Sequence, residues 1–592
     1  MTSGARYIVA DTKYVGTVAE MKADTSAAIG DRYYCDDYAA GNNAGELKFL
    51  VVAAGTGVDD GGSYIDHNTL NAQFKQLFSD FITVKKFGAG TGLTEAANTT
   101  AIGNAIVFGN TLDISGGVYP VDYLHFSTAK KITGNGTLKV TGLSEKVLGF
   151  SDNGAIPVEN VHVKGLKFEQ PHDPAMSGGT NNNHFSLKFI GANNCRAENL
   201  TFNDVDLAFS VGYGSITLAD RASYYCSADN LKGENIAGMG IQIFGSNHGT
   251  YKNMRFHGKS GTGRALFAGV RMTGYSFANN CNNLVNATID SFNEGISIQC
   301  YSFNNNVDLS ARNCDVGIQV HGASEGRTLA DVSSGNSIKA TIDGCVYGIY
   351  DGGVNNIFDV NIENCTYRGI YQQNNGGISG MSKGSTFRGT VKNCDDRLVD
   401  INGTHNNFDL VLIGKGSSST GFGFLCNGSY NSGKLVIDAC STGLRINGQY
   451  NSFQASINNC TTALYVAGDN NTINISTEGN VYLAGNNNVL RGYVGGTITN
   501  TGTRNDYSNL SGNKYIRRYF SQSTDGSGYL TLTHNLGKTN VANVEVLGSN
   551  YATSIQGVNS NSVTIKLYDN AGTVITNATG LTVDLSAQSI SY

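Results

Sequence analysis

The sequence predicts an all-β fold: one long solenoid, a parallel β-helix, set between a small N-terminal α/β head and a C-terminal β-sandwich. Three observations predict it. The first is composition, because the 592 residues include 76 glycines and 67 asparagines but only 4 prolines, where an average soluble chain of this length has roughly 41 glycines and about 30 prolines. Gly and Asn supply the positive φ angles of tight turns, and scarce proline marks strands paired on both edges that need every N–H. The second is an internal repeat. Leu435-Val436-Ile437-Asp438-Ala439-Cys440, then Gly443-Leu444-Arg445-Ile446 and Asn451, recurs as Ala455-Ser456-Ile457-Asn458-Asn459-Cys460, then Ala463-Leu464-Tyr465-Val466 and Asn470-Asn471. Related copies surround Cys314, Cys345 and Cys365. The third is the position of those cysteines, three and five residues beyond apolar positions and just before the next apolar pair. This gives two short strands of period two around a corner, the unit of a stacked solenoid.

Other classes fall away on the same numbers. With 40% hydrophobic residues, 30 tyrosines and 26 phenylalanines, the chain is not disordered; no strict glycine period makes it collagen, and no heptad makes it a coiled coil. A net charge of −6 without basic runs excludes nucleic acid as the expected partner. No apolar stretch reaches membrane length, and the first residues lack the basic-then-apolar order of a signal peptide, so no membrane is expected and synthesis in a host cytoplasm is. The 12 cysteines form no paired CxxC. They read as reduced core residues, with no metal and no cofactor.

Taken in order, residues 1–80 read as the head, with a helix near Val18–Ile29, a turn at Asp59-Asp60-Gly61-Gly62 and a second helix over Thr69–Phe81 capped by Asp66 or Asn68. A further helix spans Thr94–Phe108. Residues 81–512 hold the solenoid, with repeating coils from about 115 to 510 and Asn pairs such as Asn355-Asn356 and Asn486-Asn487-Asn488 at corners, where amides can form ladders. Residues 513–592 change to longer alternating stretches, Tyr529–Thr539, Val544–Val546 and Val563–Leu567, which read as the sandwich. A cap is physically required, because an open last coil is an unpaired edge.

The string Val84-Lys85-Lys86-Phe87-Gly88-Ala89, followed by a helix and by Gly116-Gly117-Val118-Tyr119, resembles the opening of pectate-lyase-like β-helices in bacteriophage tailspikes and capsule depolymerases. Tyr38-Ala39-Ala40-Gly41 with Asp59-Asp60-Gly61-Gly62 is similar to the head module that precedes it there. After Phe-Gly-Ala the family commonly has Asp-Gly-x-x-Asp-Asp-Thr; this chain has Gly90-Thr91-Gly92-Leu93-Thr94-Glu95. The resemblance implies a right-handed helix, a homotrimer, a virion tail location with attachment to the tail or baseplate through the head, and host recognition by cleaving a capsular or O-antigen polysaccharide.

The repeat register places candidate site residues. Aligning Ala287-Ile289 with Leu309-Ala311 and Ile296-Ile298 with Ile318-Val320 turns Thr288, Asp290, Ser297 and Gln299 outward on one coil. It turns Asp308, Ser310, Arg312, Gln319 and His321 outward on the next, with Glu294 in the corner. One coil earlier Arg271 faces out, with Tyr275 beyond it, and the strand Met254–Lys259 turns Arg255 and His257 out. Carboxylates, cations, imidazoles and a ring together suit a polysaccharide groove. Glu294 and Asp290, with Asp308 as substitute partner, are the expected acid–base pair of an endo-acting glycoside hydrolase. His257, Arg271, Tyr275, Arg312 and His321 are the expected substrate contacts. Two alternatives stay open: a polysaccharide lyase in which His257 or Tyr275 removes a proton and Arg271 neutralises a uronate, and an adhesin fibre that holds glycan without cutting it. Asp290, Arg312, Asp343 and Glu363 also fit a solvated charge ladder. A second cluster comprises Asp204, Asp206, Asp220, Arg221, Tyr224 and Tyr225, while His248 and His405 read as loop residues.

Overall fold

The structure is a computed structural model that describes residues 11–588 apart from 79–81, 129, 142–145, 151–157, 172–183, 213–221, 260–264, 275–278, 323–331, 373–381, 417–420, 512–513, 523–524, 526, 528, 534–539, 548–551, 559–561, 570–572 and 576–580. The chain forms two compact units, the first ending at Ser297 but including Tyr301–Asn306, the second running from Val307 and including Ile298–Cys300.

The first unit opens with a five-stranded sheet in the order Thr12–Thr17, Arg32–Asp37, Leu47–Ala53, Ala72–Gln76, Tyr64–Asp66. The first pair is parallel, with the helix Val18–Ala23 on the connection, and the others are antiparallel. A capping box starts that helix: Thr17 Oγ1 accepts from Glu20 N–H while the Glu20 carboxylate accepts from Thr17 N–H, which satisfies two otherwise orphaned donors. It ends at Ala23, short of the expected Ile29, because Asp24 is drawn into a turn and accepts from Ser26 N–H and from Lys13. The expected helix over Thr69–Phe81 is instead the strand Ala72–Gln76, with 79–81 outside the described residues. Leu70, Phe74 and Leu77 have helical spacing, but the strand pairs on both edges and fully buries Phe74. Two ladders and a core position outweigh a weak local preference.

The motif Val84–Phe87 forms one 3-10 turn that ends at Gly88, φ 89°, where a Cβ would lie 2.6 Å from the Tyr38 ring. Only glycine lets the head's tyrosine sit against this turn. The helix Glu95–Phe108 starts at the Thr94 cap, as the sequence indicates, and buries Ile102, Ala105 and Ile106 against Thr111–Asp113 and Val118–Pro120.

Beyond it the chain winds into parallel coils with three sheets. In the first unit, sheet 1 begins as pairs of three-residue strands, such as His162–Lys164 and Lys167–Glu169, split by residues of positive φ like Gly165, Asn199 and Asn230. The pieces fuse at Thr250–Gly258, which pairs with Leu284–Asp290. Sheet 2 stacks Leu124–Phe126, Lys146–Phe150, Phe185–Phe189, Leu207–Gly212, Met239–Phe244 and Ala265–Thr273. Sheet 3 consists of two-residue strands from Val158–Glu159 to Ser302–Phe303.

The second unit is more regular. Sheet 1 takes seven-residue strands, Ser337–Asp343, Ile357–Glu363, Thr386–Lys392, Asn407–Ile413, Ser432–Asp438 and Ser452–Asn458, in unbroken register. Sheet 2 takes five-residue strands, among them Val316–Val320, Tyr347–Asp351, Arg368–Gln372, Arg397–Ile401, Phe422–Cys426, Thr442–Ile446 and Thr462–Val466. Phe358, Phe387 and Phe408 stack inside at 4.9 and 5.4 Å. Gly317, Gly348, Gly423 and Gly443 recur at the second place of the sheet 2 strand because a Cβ there would lie 2.5–2.7 Å from an isoleucine of sheet 1.

The asparagine ladder runs through this unit. Each Oδ1 accepts the N–H and the Nδ2–H of the preceding asparagine, as in Asn451 to Asn471 to Asn488 to Asn505, and Asn431 joins the run through its N–H alone, its Nδ2 donating to Gly403 O and Cys426 Sγ. All twelve cysteines are free thiols and ten are buried. The corner thiols donate to the carbonyl two residues back, as Cys314 does to Arg312 and Cys440 to Asp438. The small apolar body fills the core while the S–H serves the strand's last carbonyl.

At the far end Lys514–Gln522 continues sheet 2 from Thr497–Asn500 and turns antiparallel to Leu581–Gln588, which pairs with Asn540–Leu547. Tyr529–Thr533, Ser562–Tyr568 and Ala552–Val558 form a separate antiparallel sheet. No helix among the described residues is long and apolar enough to cross a membrane.

Candidate functional site

In the first unit the outer face of sheet 2 carries two rows. The strand register aligns His125, Gly149, Lys188, Ser210, Gln242 and Arg271 in one row, while the alternate residues Leu148, Leu187, Phe209, Ile241 and Val270 fill the core. An outward row on a solenoid is ordinarily solvated. Here Lys188 is 6%, Ser210 1% and Gln242 2% exposed, so the row lies at the floor of a covered face. The neighbouring row begins with Lys146 and becomes apolar at Phe185, Leu207 and Met239, against which Tyr123 and Phe267 pack.

The charges on this face are mostly positive. Lys146 Nζ lies 5.3 Å over the Tyr123 ring and Lys188 Nζ 5.1 Å over Phe185; an ammonium is attracted to a ring face and more so when desolvated. Burial, and then the charge of Lys146, lower the Lys188 ammonium to about 8, and the same two causes lower His125. His184 Nδ1 lies 3.5 Å from Asp206 Oδ2, both side chains buried. In a chain of net charge −6, a local surplus of cations on a half-apolar face matches an anionic ligand with non-polar faces.

The structure brings some of the expected residues together. His257 and Asp290 are register partners on Thr250–Gly258 and Leu284–Asp290, with Nδ1 and Oδ2 3.7 Å apart. Ser291 Oγ donates to Asp290 at 2.8 Å. Arg255 and Thr288 are exposed on the same sheet, as the register requires, and Arg271 ends the outward row of sheet 2 half-buried. Glu294 is not in the corner. The corner residue is Ser291, φ 64°, and Glu294 lies inside the strand Phe292–Ile298. It is third after its positive-φ residue, as Leu207 is third after Asp204, which puts it in the row of Lys146, Phe185, Leu207 and Met239. Gly295 occupies the small-residue place that Gly317 fills in its own strand. Ser297 alternates outward as expected but is only 1% exposed.

Tyr275, Asp220 and Arg221 lie outside the described residues. Asp308, Arg312 and His321 belong to the second unit. Asp308 and Arg312 are the third and seventh residues of Asn306–Arg312, both exposed, about 13 Å apart along one face. His321 follows Val316–Val320, half-buried, and its N–H donates to Ile298 O. Asp343 and Glu363 do form a ladder, register partners extended by Lys392, which binds Glu363 at 2.6 Å. Tyr225 and His248 stack at 5.3 Å in corner positions of positive φ, places that asparagine fills elsewhere in the column.

Sequence reasoning missed Lys146, Lys188 and Gln242 and named Asp206 only in the second cluster. The alternation Phe185-Ser186-Leu187-Lys188-Phe189 carries the signal for Lys188. It was hidden because the register was built on corners with cysteine, whereas the next strand of this sheet, Leu207–Gly212, follows a turn at Asp204. Among the described residues no group of three or more His, Cys, Asp or Glu is placed to hold a metal ion.

No family model and no curated protein matches the chain. Among solved structures it is similar to the tailspike protein of Escherichia coli bacteriophage HK620 in complex with a pentasaccharide, at 11% identity and a TM-score of 0.42, covering 90% of this chain and 98% of that one. It is similar also to a double mutant of the same tailspike, at 10% identity and a TM-score of 0.45, covering 89% and 97%.

Proposed function

We propose that the chain is a tailspike protein that binds and endo-cleaves an acidic bacterial surface polysaccharide, capsule or O-antigen, by glycoside hydrolysis. The observation that supports this reading best is the covered row of sheet 2 in the first unit, where Lys188, Gln242 and Arg271 line an apolar strip that leads to Glu294. Lys188 and Arg271 are three strand steps apart, about 14 Å, a spacing for anionic groups on successive sugars of a polymer. Glu294, whose row continues the apolar strip, is assigned the role of proton donor. Asp290, held by His257 and the Ser291 hydroxyl, is the carboxylate that activates water or attacks the anomeric carbon, their separation deciding inversion or retention. In this reading the head, residues 1–80, attaches to the tail, the working form is a homotrimer, and the protein acts at the cell surface.

The test is incubation of the purified protein with capsules and O-antigens of several serotypes. New reducing ends without unsaturation support hydrolysis. An unsaturated uronate overturns it in favour of a lyase, and binding without products leaves an adhesin. Full activity in Glu294→Gln and in Asp290→Asn discards this site.

A further inference from the structure

The outer face of sheet 2 in the second unit differs from the rest of that unit's surface. Its first outward row reads Val316, Tyr347, Arg368, Arg397, Phe422, Thr442, Thr462. The second reads Gln319, Tyr350, Tyr371, Asp400, Leu425, Arg445, Tyr465, Tyr482. Three arginines here are stacked on rings, and they differ in how their charge is met. Arg368 lies over Tyr367 and Tyr371 at 4.6 and 4.4 Å and pairs with Asp396 and Asp400 at 3.3 and 3.0 Å. Arg397 pairs with the same two carboxylates at 3.4 and 2.6 Å. These two explain themselves as a fastening between coils.

Arg445 does not. Its guanidinium lies 4.9 Å from the Tyr465 ring and 5.7 Å from Phe422, and its Nε donates to Asn447 Oδ1 at 3.1 Å. Among the described residues no carboxylate pairs with it. It lines an open recess of about 230 Å³ with Thr442, Thr462, Tyr465 and Tyr482. The recess therefore offers a planar cation fixed in orientation, two hydroxyls and two phenol rings 6.3 Å apart. A fixed guanidinium recognises a carboxylate through two parallel N–H bonds, and rings beside it accept the non-polar face of a sugar.

We propose that this recess is a second glycan subsite, which holds a carboxylate-bearing sugar of the polymer through Arg445 and Tyr465 and takes no part in bond cleavage. The inference rests on the polysaccharide reading above and adds a separate grip on the substrate. The full chain is tested by saturation-transfer NMR with methyl glucuronide and, as the neutral control, methyl glucoside. Arg445→Gln, Arg445→Lys and Tyr465→Ala are compared with Glu294→Gln and Lys188→Gln, with circular dichroism confirming that each folds. The expected result is transfer to the glucuronide and not the glucoside, binding about tenfold weaker in Arg445→Gln, partial retention in Arg445→Lys and full retention in Glu294→Gln. Equal transfer to both sugars, transfer to neither, or an unchanged Arg445→Gln overturns the subsite. Loss in Lys188→Gln with Arg445→Gln unaffected assigns the signal to the first unit and overturns it as well. If the subsite stands while no polymer is cleaved, the hydrolase reading fails alone.

Discussion

The two units use the same inward pattern and opposite outward ones. In the first, the outer face of sheet 2 is covered, cationic and half apolar. In the second, the face is open, its rings and arginines half-exposed, and coils shorten along the asparagine ladder from 25 residues to 20 and then 17. The inward positions are fixed by stacking, so they conserve size and polarity from coil to coil. Outward positions and corners carry no such constraint. A solenoid can therefore build a groove in one stretch and a plain binding strip in another without altering its core.

The sharpest way to break this comparison is to remove one carboxylate from each face. Glu294→Gln in the first unit is expected to slow polymer cleavage by about 10²–10⁴-fold, measured as reducing ends released per minute. Asp396→Asn in the second, where the carboxylate only fastens Arg368 and Arg397, is expected to leave that rate within about twofold and to cost at most roughly 1 kcal/mol of stability. Equal losses in the two variants make the division of labour wrong.

The next effect concerns the ladder. Asn451→Ala removes the acceptor of the buried Asn431 N–H and a donor to Asn471. A buried donor left unmet costs about 1–3 kcal/mol. Because coils touch mainly their neighbours, hydrogen exchange is expected to rise in the second unit around residues 431–471 and not in the first.

Much of this was legible in the sequence, and for identifiable reasons. The corner after Asp438 and Cys440, the inward Leu435 and Ile437, and the amide of Asn451 could be read because stacking makes them periodic. His257 and Asp290 were placed correctly for the same reason, since both lie on strands that keep that period. Glu294 was misplaced because the step between the aligned strands does not show where the corner ends; Ser291 alone adopts positive φ and the next strand begins at Phe292. Lys188 and Arg445 were missed because their meaning depends on what covers one and fails to neutralise the other, and no periodicity reports that. In the head, Phe74 followed a sheet that the short-range pattern could not see.

A smaller effect separates the two faces by pH. Lys188 is lowered to about 8 by burial and by Lys146, so it is charged below that pH and neutral above it. Affinity of the first unit for an acidic polymer is expected to fall severalfold between pH 7 and pH 9, measured by titration of Glu294→Gln with intact polymer. Lys188→Arg is expected to remove most of that fall. Binding of methyl glucuronide at Arg445 is expected to stay flat over the range, since a guanidinium does not titrate there. A parallel fall at both faces would mean that the pH change acts on the polymer or the fold rather than on Lys188.

The smallest expected effect tests the rule that inward positions are set by stacking alone. The inward row of sheet 2 reads Val320, Asp351, Gln372, Ile401, Cys426, so a fully buried carboxylate stands where an aliphatic residue belongs. The reason lies in the ladder, which breaks at Ser385, the register partner position between Asn356 and Asn406. Asp351 repairs the break by accepting from Gly353 N–H, Gln372 Nε2 and Ser385 Oγ at 2.9, 3.1 and 3.0 Å. Burial still dominates and raises its carboxyl above the usual range, with those hydrogen bonds opposing. A folded value above the unfolded one means that the folded state holds the proton more tightly. Relative to Asp351→Asn, which does not titrate, the wild-type chain is therefore expected to gain stability as pH falls from the raised value toward about 3.9 and to keep that gain below it. Denaturant unfolding of both chains at a series of pH values reads the difference. A difference that is constant with pH, or that grows in the opposite direction, would show that the hydrogen bonds outweigh burial and that Asp351 is an ordinary member of the ladder.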